Sequence, residues 1–251
     1  MNLERRSKII DLINQKNTVT NLELMEIFNI SIETVRRDLN YLEKAGVIEK
    51  VYGGAIKKNY LKVEPKYISR EKENLKEKQA IAIETEKLIS QNDSVFFDLG
   101  TTVFFVAENL ERGKEINSFT NSLRTAMELS DKGVNVVLPG GELRNGEYSI
   151  SGSIAESNMK NFNVDKAIIG VGGIDENGVT DFIIKEASIR SQMIKNAQTV
   201  IAVADYSKFG VRAICNICDL ADIDILVTDN KAPKDFVKKI AKKGVKVIIA
   251  K

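Results

Sequence analysis

The sequence predicts an α/β protein in two parts, a small N-terminal winged helix-turn-helix followed by a larger domain on a mostly parallel, Rossmann-like sheet. Three observations carry this. Residues 29–56 read as a helix, a short strand, a Gly-Gly turn and a returning strand. Beyond residue 90, seven short apolar runs alternate with amphipathic segments, the pattern of a parallel sheet covered on both faces. Between the two lies a charged stretch broken by Pro65, which reads as an exposed linker. The expected boundaries are 1–57 for the first domain, 58–75 for the linker and 76–251 for the second domain.

Within the first part, Ile9, Ile10, Leu12 and Ile13 mark the apolar face of an opening helix. Thr20 and Glu23 form a capping box for a second helix, in which each side chain satisfies the other's free backbone donor, with Leu22, Met25 and Phe28 expected inward. Asn29 suits the left-handed corner before a third helix. Ser31 caps that helix, Val35, Leu39 and Leu42 form its buried stripe, and Gly46 ends it. Its opposite face is polar, with Ser31, Glu33, Thr34, Arg36, Arg37 and Asn40. Paired arginines near the start of such a helix reach base edges or phosphates in a major groove. Lys50 and Tyr52 of the following wing extend the expected DNA face, and Arg5, Arg6, Lys57 and Lys58 are further cations for it.

In the second part, strands are expected at 94–97, 116–120, 134–138, 166–170, 200–204, 223–227 and 245–249, with helices at 102–110, 122–132, 184–196 and 233–243. Open α/β sheets bind ligands outside the carboxyl ends of their strands, so the loops there are the place to look. They contain Asp98-Leu99-Gly100-Thr101-Thr102, Thr120-Asn121-Ser122, Pro139-Gly140-Gly141-Glu142-Leu143-Arg144, the Gly-rich 170–175 and the 205–210 loop with Lys208. A Gly and two hydroxyls at a helix start make a plausible phosphate cradle, because free N–H groups and the helix dipole point at one spot.

An apolar fraction of 43% in 251 residues is ample for two cores. Up to Lys58, ten Lys and Arg face eight Asp and Glu, so DNA binding must come from where cations sit rather than from excess charge. The longest apolar runs fall short of a membrane span and MNLERRSKII lacks the core of a secretory signal, so a cytoplasmic protein is expected. There is no His, which removes the one side chain that ordinarily titrates near neutrality and the commonest metal ligand. Cys215 and Cys218 form a C-x-x-C, but no second Cys pair or His completes a zinc set, so the two read as small packed side chains; no metal or cofactor is expected.

The run TVRRDLNYLEKAGVIEKVYGGAI resembles the DNA-binding signature of the DeoR family of bacterial transcription regulators, and EASIRSQMIKNAQTVIAVADYSKFG is close to that family's pattern in its effector domain. Relatives often carry His before the wing's Gly-Gly, where this chain has Tyr52. The resemblance implies an effector domain similar in fold to ribose-5-phosphate isomerase and glucosamine-6-phosphate deaminase. It also implies a sugar-phosphate pocket at Asp98, Gly100, Thr101, Thr102, Asn121, Gly140, Gly141, Arg144, Glu186 and Lys208. In that pocket Thr101, Thr102, Lys208 and Arg144 would hold the phosphate, and Asp98, Asn121 and Glu186 the sugar hydroxyls.

Two functions follow. The first is a repressor of carbohydrate-metabolism genes, bound to double-stranded operator DNA as a homodimer or higher even-numbered assembly and controlled by a phosphorylated sugar. The second is a sugar-phosphate isomerase or deaminase with a DNA-binding appendage, using Asp98, Asp175, Asp181 or Glu186 as a base. The lack of His and Gly172, where many relatives of such enzymes carry an acidic residue, favour the regulator, with no catalytic residues.

Overall fold

The computed structural model describes residues 2–16, 18–44, 47–51, 53–57 and 64–251. Gly46, Tyr52 and Lys58 lie outside the described residues, as does the side chain of Lys57. The chain divides into two compact units, Met1–Leu61 and Lys62–Lys251.

The first unit runs α1 (Asn2–Lys16), β1 (Thr18–Thr20), α2 (Asn21–Phe28), α3 (Ile32–Lys44), β2 (Ile48–Val51) and β3 (Gly54–Lys57). The three strands form an antiparallel sheet in the order β1-β3-β2. The capping box forms: Thr20 N donates to Glu23 at 2.8 Å and Glu23 N to Thr20 Oγ1 at 3.1 Å, an arrangement worth about 1 kcal/mol. Asn29 turns the corner at φ 47°. Ile9, Ile13, Val19, Leu24, Val35, Leu39, Leu42 and Ile48 build the core; each buried aliphatic side chain contributes about 2 kcal/mol. Leu22, expected inward, is 69% exposed, and Leu24 takes the buried position instead. The capping box starts α2 at Asn21, and that phase turns Leu24, with Met25 and Phe28 beside it, toward α3. Gly54 has no room for a side chain, since a Cβ there would run into the Val19 carbonyl of β1.

The second unit opens where a linker was expected. From Glu64 onward that stretch is not an exposed connector: α4 (Tyr67–Lys72) forms within it and buries the Tyr67 ring. There follow α5 (Leu75–Glu86), β4 (Ser94–Phe97), α6 (Thr101–Asn109), β5 (Asn117–Thr120), α7 (Leu123–Asp131) and β6 (Asn135–Val137). Next come β7 (Glu142–Arg144), β8 (Ser149–Ser151), α8 (Ser153–Met159), β9 (Val164–Gly170), β10 (Gly173–Asp175), β11 (Gly178–Asp181) and α9 (Ile184–Lys195). The chain ends through β12 (Ala197–Ala204), β13 (Cys215–Cys218), β14 (Ile225–Asp229), α10 (Lys234–Lys242) and β15 (Lys246–Ala250).

Seven strands make one parallel sheet in the order β15-β14-β12-β9-β4-β5-β6. These are the seven that the apolar runs predict. Alternate residues of each strand face opposite sides. Val95, Phe97, Ile168, Ile201 and Val203 pack with Ile81, Val103 and Val106, while Phe96, Ala167, Ile169, Ala202 and Leu226 pack with Met159, Ile189 and Met193. Both faces are therefore buried, as a parallel sheet requires. The chain builds outward from β4 through β5 to β6, then crosses to the other side of β4 for β9, β12, β14 and β15. The topological switch point lies between β4 and β9. Two small antiparallel additions, β7-β8 and β10-β11-β13, were not foreseen; their strands of three or four residues are too short to show a period. No described helix is long and apolar enough to cross a membrane.

Candidate functional site

In the first unit, α3 presents the polar face that its pattern predicts. Ser31, Glu33, Arg36, Arg37 and Asn40 are exposed and Thr34 is half-buried. Thr34 N donates to Ser31 Oγ at 3.4 Å, a weak cap. Lys50 on β2 donates from Nζ to Asn40 Oδ1 at 2.5 Å, which joins wing and helix on one surface. Arg36 and Arg37 form no ion pair among the described residues, so their guanidinium groups stand in solvent.

Arg5 and Arg6, offered as further DNA-facing cations, are placed differently. Their Nε atoms donate to Asp38 at 2.6 and 2.8 Å, and Arg6 also lies 3.8 Å over the Tyr41 ring. Asp38 is 1% exposed. Burial pushes its carboxyl upward, but the two guanidinium groups outweigh this and hold it below the usual carboxylate range. The pair of arginines therefore anchors α1 to α3.

In the second unit, a small cleft opens at the switch point between β4 and β9, where open α/β sheets bind their ligands. Its walls are Leu99, Gly100, Thr101 and Thr102 after β4, Gly170, Val171 and Gly172 after β9, Asp181 and Phe182 after β11, Arg190 of α9, Lys208 after β12, and Glu64 and Arg70 at α4. Gly100 precedes α6 at φ 125°, a conformation that side chains rarely adopt, and supplies no side-chain cap. Phe104 N is the first amide to bond back, to Gly100 O at 2.9 Å, so the opening amides of α6 stay available. Gly170 keeps the two loops close, since a Cβ there would meet the Leu99 carbonyl at 3.0 Å.

Behind this cradle sits a buried charge cluster. Arg190 donates from Nε to Asp98 and from Nη1 to Asp181, and Gly170 N adds a bond to Asp98 Oδ2 at 3.1 Å. Burial pushes the Asp98 carboxyl up to about 6 against the pull of Arg190. Burial disfavours the Arg190 charge, but Asp181 and Asp98 more than restore it and raise its pKa. Beside the cleft, Glu64 bridges Arg70 and Arg144 at 2.9 Å each; burial raises its carboxyl above the usual range. Arg144 continues to Glu186 at 3.0 Å, and Ser149 Oγ donates to Glu186 at 2.5 Å.

Of the residues expected to form one pocket, Gly100, Thr101, Thr102 and Lys208 meet in the cleft. Asp98 lies behind it and acts on it through Arg190. Arg144 and Glu186 reach its edge only through Glu64, with the Arg144 charge already matched by two carboxylates. Asn121 is wholly buried at the end of β5 and does not line the cleft. Gly140 and Gly141 lie before β7; a Cβ on Gly141 would meet Ser151 O at 2.6 Å and Ala155 Cβ at 3.2 Å, so this glycine serves close packing of the hairpin on α8. Arg190, Arg70 and Glu64 were not foreseen. For Arg190 the signal is a charge at a position of α9 that its neighbours Ala187, Ile189 and Met193 mark as core. Cys215 and Cys218 lie on β13 as free thiols, and burial pushes Cys218 up to about 12.

Comparison with known proteins agrees with both units. Residues 5–59 match the family model of the DeoR-like helix-turn-helix domain and residues 73–230 that of the DeoR C-terminal sensor domain. The chain is 35% identical over 252 residues to the HTH-type transcriptional regulator GolR of Listeria innocua, covering 98% of each chain. It is 33% identical over 232 residues to the glycerol-3-phosphate regulon repressor of Escherichia coli K12, covering 92% of each. Among solved structures, ribose 5-phosphate isomerase A from Methanocaldococcus jannaschii aligns over 54% of this chain and 55% of its own, with a TM-score of 0.39 and 19% identity. With a DeoR-like helix-turn-helix in its first unit, a DeoR sensor domain in its second, and relatives matched along nearly their whole length, this chain belongs to the DeoR family of transcriptional regulators.

Proposed function

We propose that the protein is a repressor of carbohydrate-metabolism genes whose affinity for operator DNA is set by a phosphorylated sugar bound in the cleft between the β4 and β9 loops. One observation carries this reading: the uncapped amides of α6, the Thr101 and Thr102 hydroxyls, and the cation Lys208 converge on one cleft at the switch point. Lys208 forms no ion pair among the described residues, so its charge is open to a phosphate. A relative that represses a glycerol-3-phosphate regulon supports the same class of signal. The exposed face of α3, with Arg36, Arg37, Asn40 and Lys50, is the proposed reader of the operator. A symmetric homodimer or higher even-numbered assembly in the cytoplasm would meet a pseudo-palindromic site.

The protein on this reading is not an enzyme. Asp98 and Asp181, two of the carboxylates suited to act as bases, both hold Arg190 and are not directed to a substrate proton. Binding a sugar phosphate does not by itself stabilise a transition state.

The test is fluorescence anisotropy of a labelled fragment from upstream of the protein's own gene, titrated at fixed salt with a panel of sugar phosphates; salt is fixed because phosphate contacts make affinity steeply salt-dependent. Tight binding shifted by one compound is expected. Binding no better than to random DNA, with no compound mattering, overturns the reading.

A further inference from the structure

We infer that Arg124, with Asn121 and Thr125, forms a second subsite beside the cleft, for an anionic group carried by the effector at the end remote from its phosphate. The inference rests on the reading of the cleft as the effector site and adds the class of compound that fills it.

Arg124 lies in the first turn of α7. Its guanidinium sits between two aromatic rings, 4.4 Å from the centroid of Tyr67 and 4.8 Å from that of Tyr148. Cation–π contact with two rings holds the group without using its N–H donors. Arg70, Arg144 and Arg190 are each matched by carboxylates. Arg124 forms no ion pair among the described residues, and its buried Nε has no acceptor. Its neighbours are idle in the same way. Asn121 is wholly buried, yet among the described residues neither Oδ1 nor Nδ2 has a partner, and the Thr125 Oγ1 and Tyr67 hydroxyl groups also lack one there. Buried polar groups nearly always find partners, so a cluster of them without any marks a place where polar atoms are supplied from outside.

The cluster adjoins the cleft by construction. Thr120 pairs with Phe97 across β5 and β4, which makes Asn121 and Asp98 neighbours at the strand ends, and Asp98 Oδ1 is also unpartnered. On α4, Tyr67 stacks on Arg124 while Arg70, one turn later, lines the cleft. A ligand anchored by phosphate at α6 and Lys208 and running past the ends of β4 and β5 ends at Arg124, the partly exposed member of the cluster. A flat fork of donors between two rings suits a carboxylate or a second phosphate. The effector class is therefore a phosphorylated polyol with an anion at each end, a sugar-acid phosphate or a sugar bisphosphate.

Isothermal titration of the full chain with matched pairs tests this: fructose 6-phosphate against fructose 1,6-bisphosphate, and glucose 6-phosphate against 6-phosphogluconate. In at least one pair the two-ended compound should bind roughly tenfold or more tightly, the effect of one charge-assisted contact. The favoured pair identifies phosphate or carboxylate as the second anion. In R124Q the two members should bind within about threefold of each other, with the monophosphate affinity unchanged. R124K, which keeps the charge without the fork, should retain part of the preference, and it provides the readout if melting shows R124Q unfolded. Equal binding within both pairs, or a preference that survives in R124Q, overturns the subsite. Either of those results, with monophosphate binding lost in K208A, leaves the cleft reading standing and removes the subsite alone. Absence of binding by all four compounds removes both.

Discussion

Arg190 donates its Nε–H to Asp98 Oδ2 with both side chains out of solvent, across 92 residues of sequence. The Asp98 carboxyl is nonetheless raised from 3.8 to about 6, because burial outweighs the attraction of Arg190. A folded-state pKa above the unfolded one means that the native state holds the proton more tightly. The stability this group adds is complete below about pH 4 and is lost as pH rises through about 6. Between pH 4.5 and pH 7 the loss is about 2 kcal/mol, or roughly 5 °C in melting temperature. Asp98→Asn should remove that component, so the wild type should lose about 5 °C more than the variant over this interval. Parallel pH profiles of the two melting temperatures would exclude a buried titrating Asp98.

Adjacent residues of α3 should separate recognition from stability. Arg37 is exposed and forms no ion pair among the described residues, so Arg37→Ala should leave the melting temperature within about 2 °C of wild type while weakening operator binding by roughly tenfold. Asp38 is buried between Arg5 and Arg6. Asp38→Ala removes the partner of both and should destabilise the first unit by about 3 kcal/mol. Circular-dichroism melts and DNA titrations of both variants check this. Normal affinity and base preference in Arg37→Ala would exclude Arg37 as a reader.

What the sequence made legible was governed by local rules. Thr20 with Glu23, Asn29 and the Val35-Leu39-Leu42 stripe each depend on neighbours within one or two turns, and the seven parallel strands each carry their own apolar run. The cleft loops were found from strand ends alone. What escaped depends on distant partners: Asp38 meets Arg5 and Arg6 from more than 30 residues away, and Glu64 meets Arg144 from 80. Gly141 shows a limit of a different kind. A glycine needed for close hairpin packing and a glycine needed beside a ligand leave the same mark in one sequence.

Lys208 provides the sharpest test of the cleft. It sits in a single 3-10 turn after β12, with Asp205 capping that turn by accepting from Ser207 N at 2.9 Å, so its backbone is held independently of its own side chain. Lys208→Ala should therefore fold normally. It should also bind operator DNA as the wild type does, since Lys208 belongs to the sensor unit. Loss of one charge-assisted phosphate contact should lower affinity for the sugar phosphate by roughly thirtyfold, enough to abolish the response at the concentration that saturates the wild type. Anisotropy of the labelled operator, titrated with the compound that shifts the wild type, reads both quantities from one sample. Unchanged sensitivity in this variant would remove Lys208 from the pocket and leave the α6 amides and the Thr101 and Thr102 hydroxyls as the remaining phosphate donors.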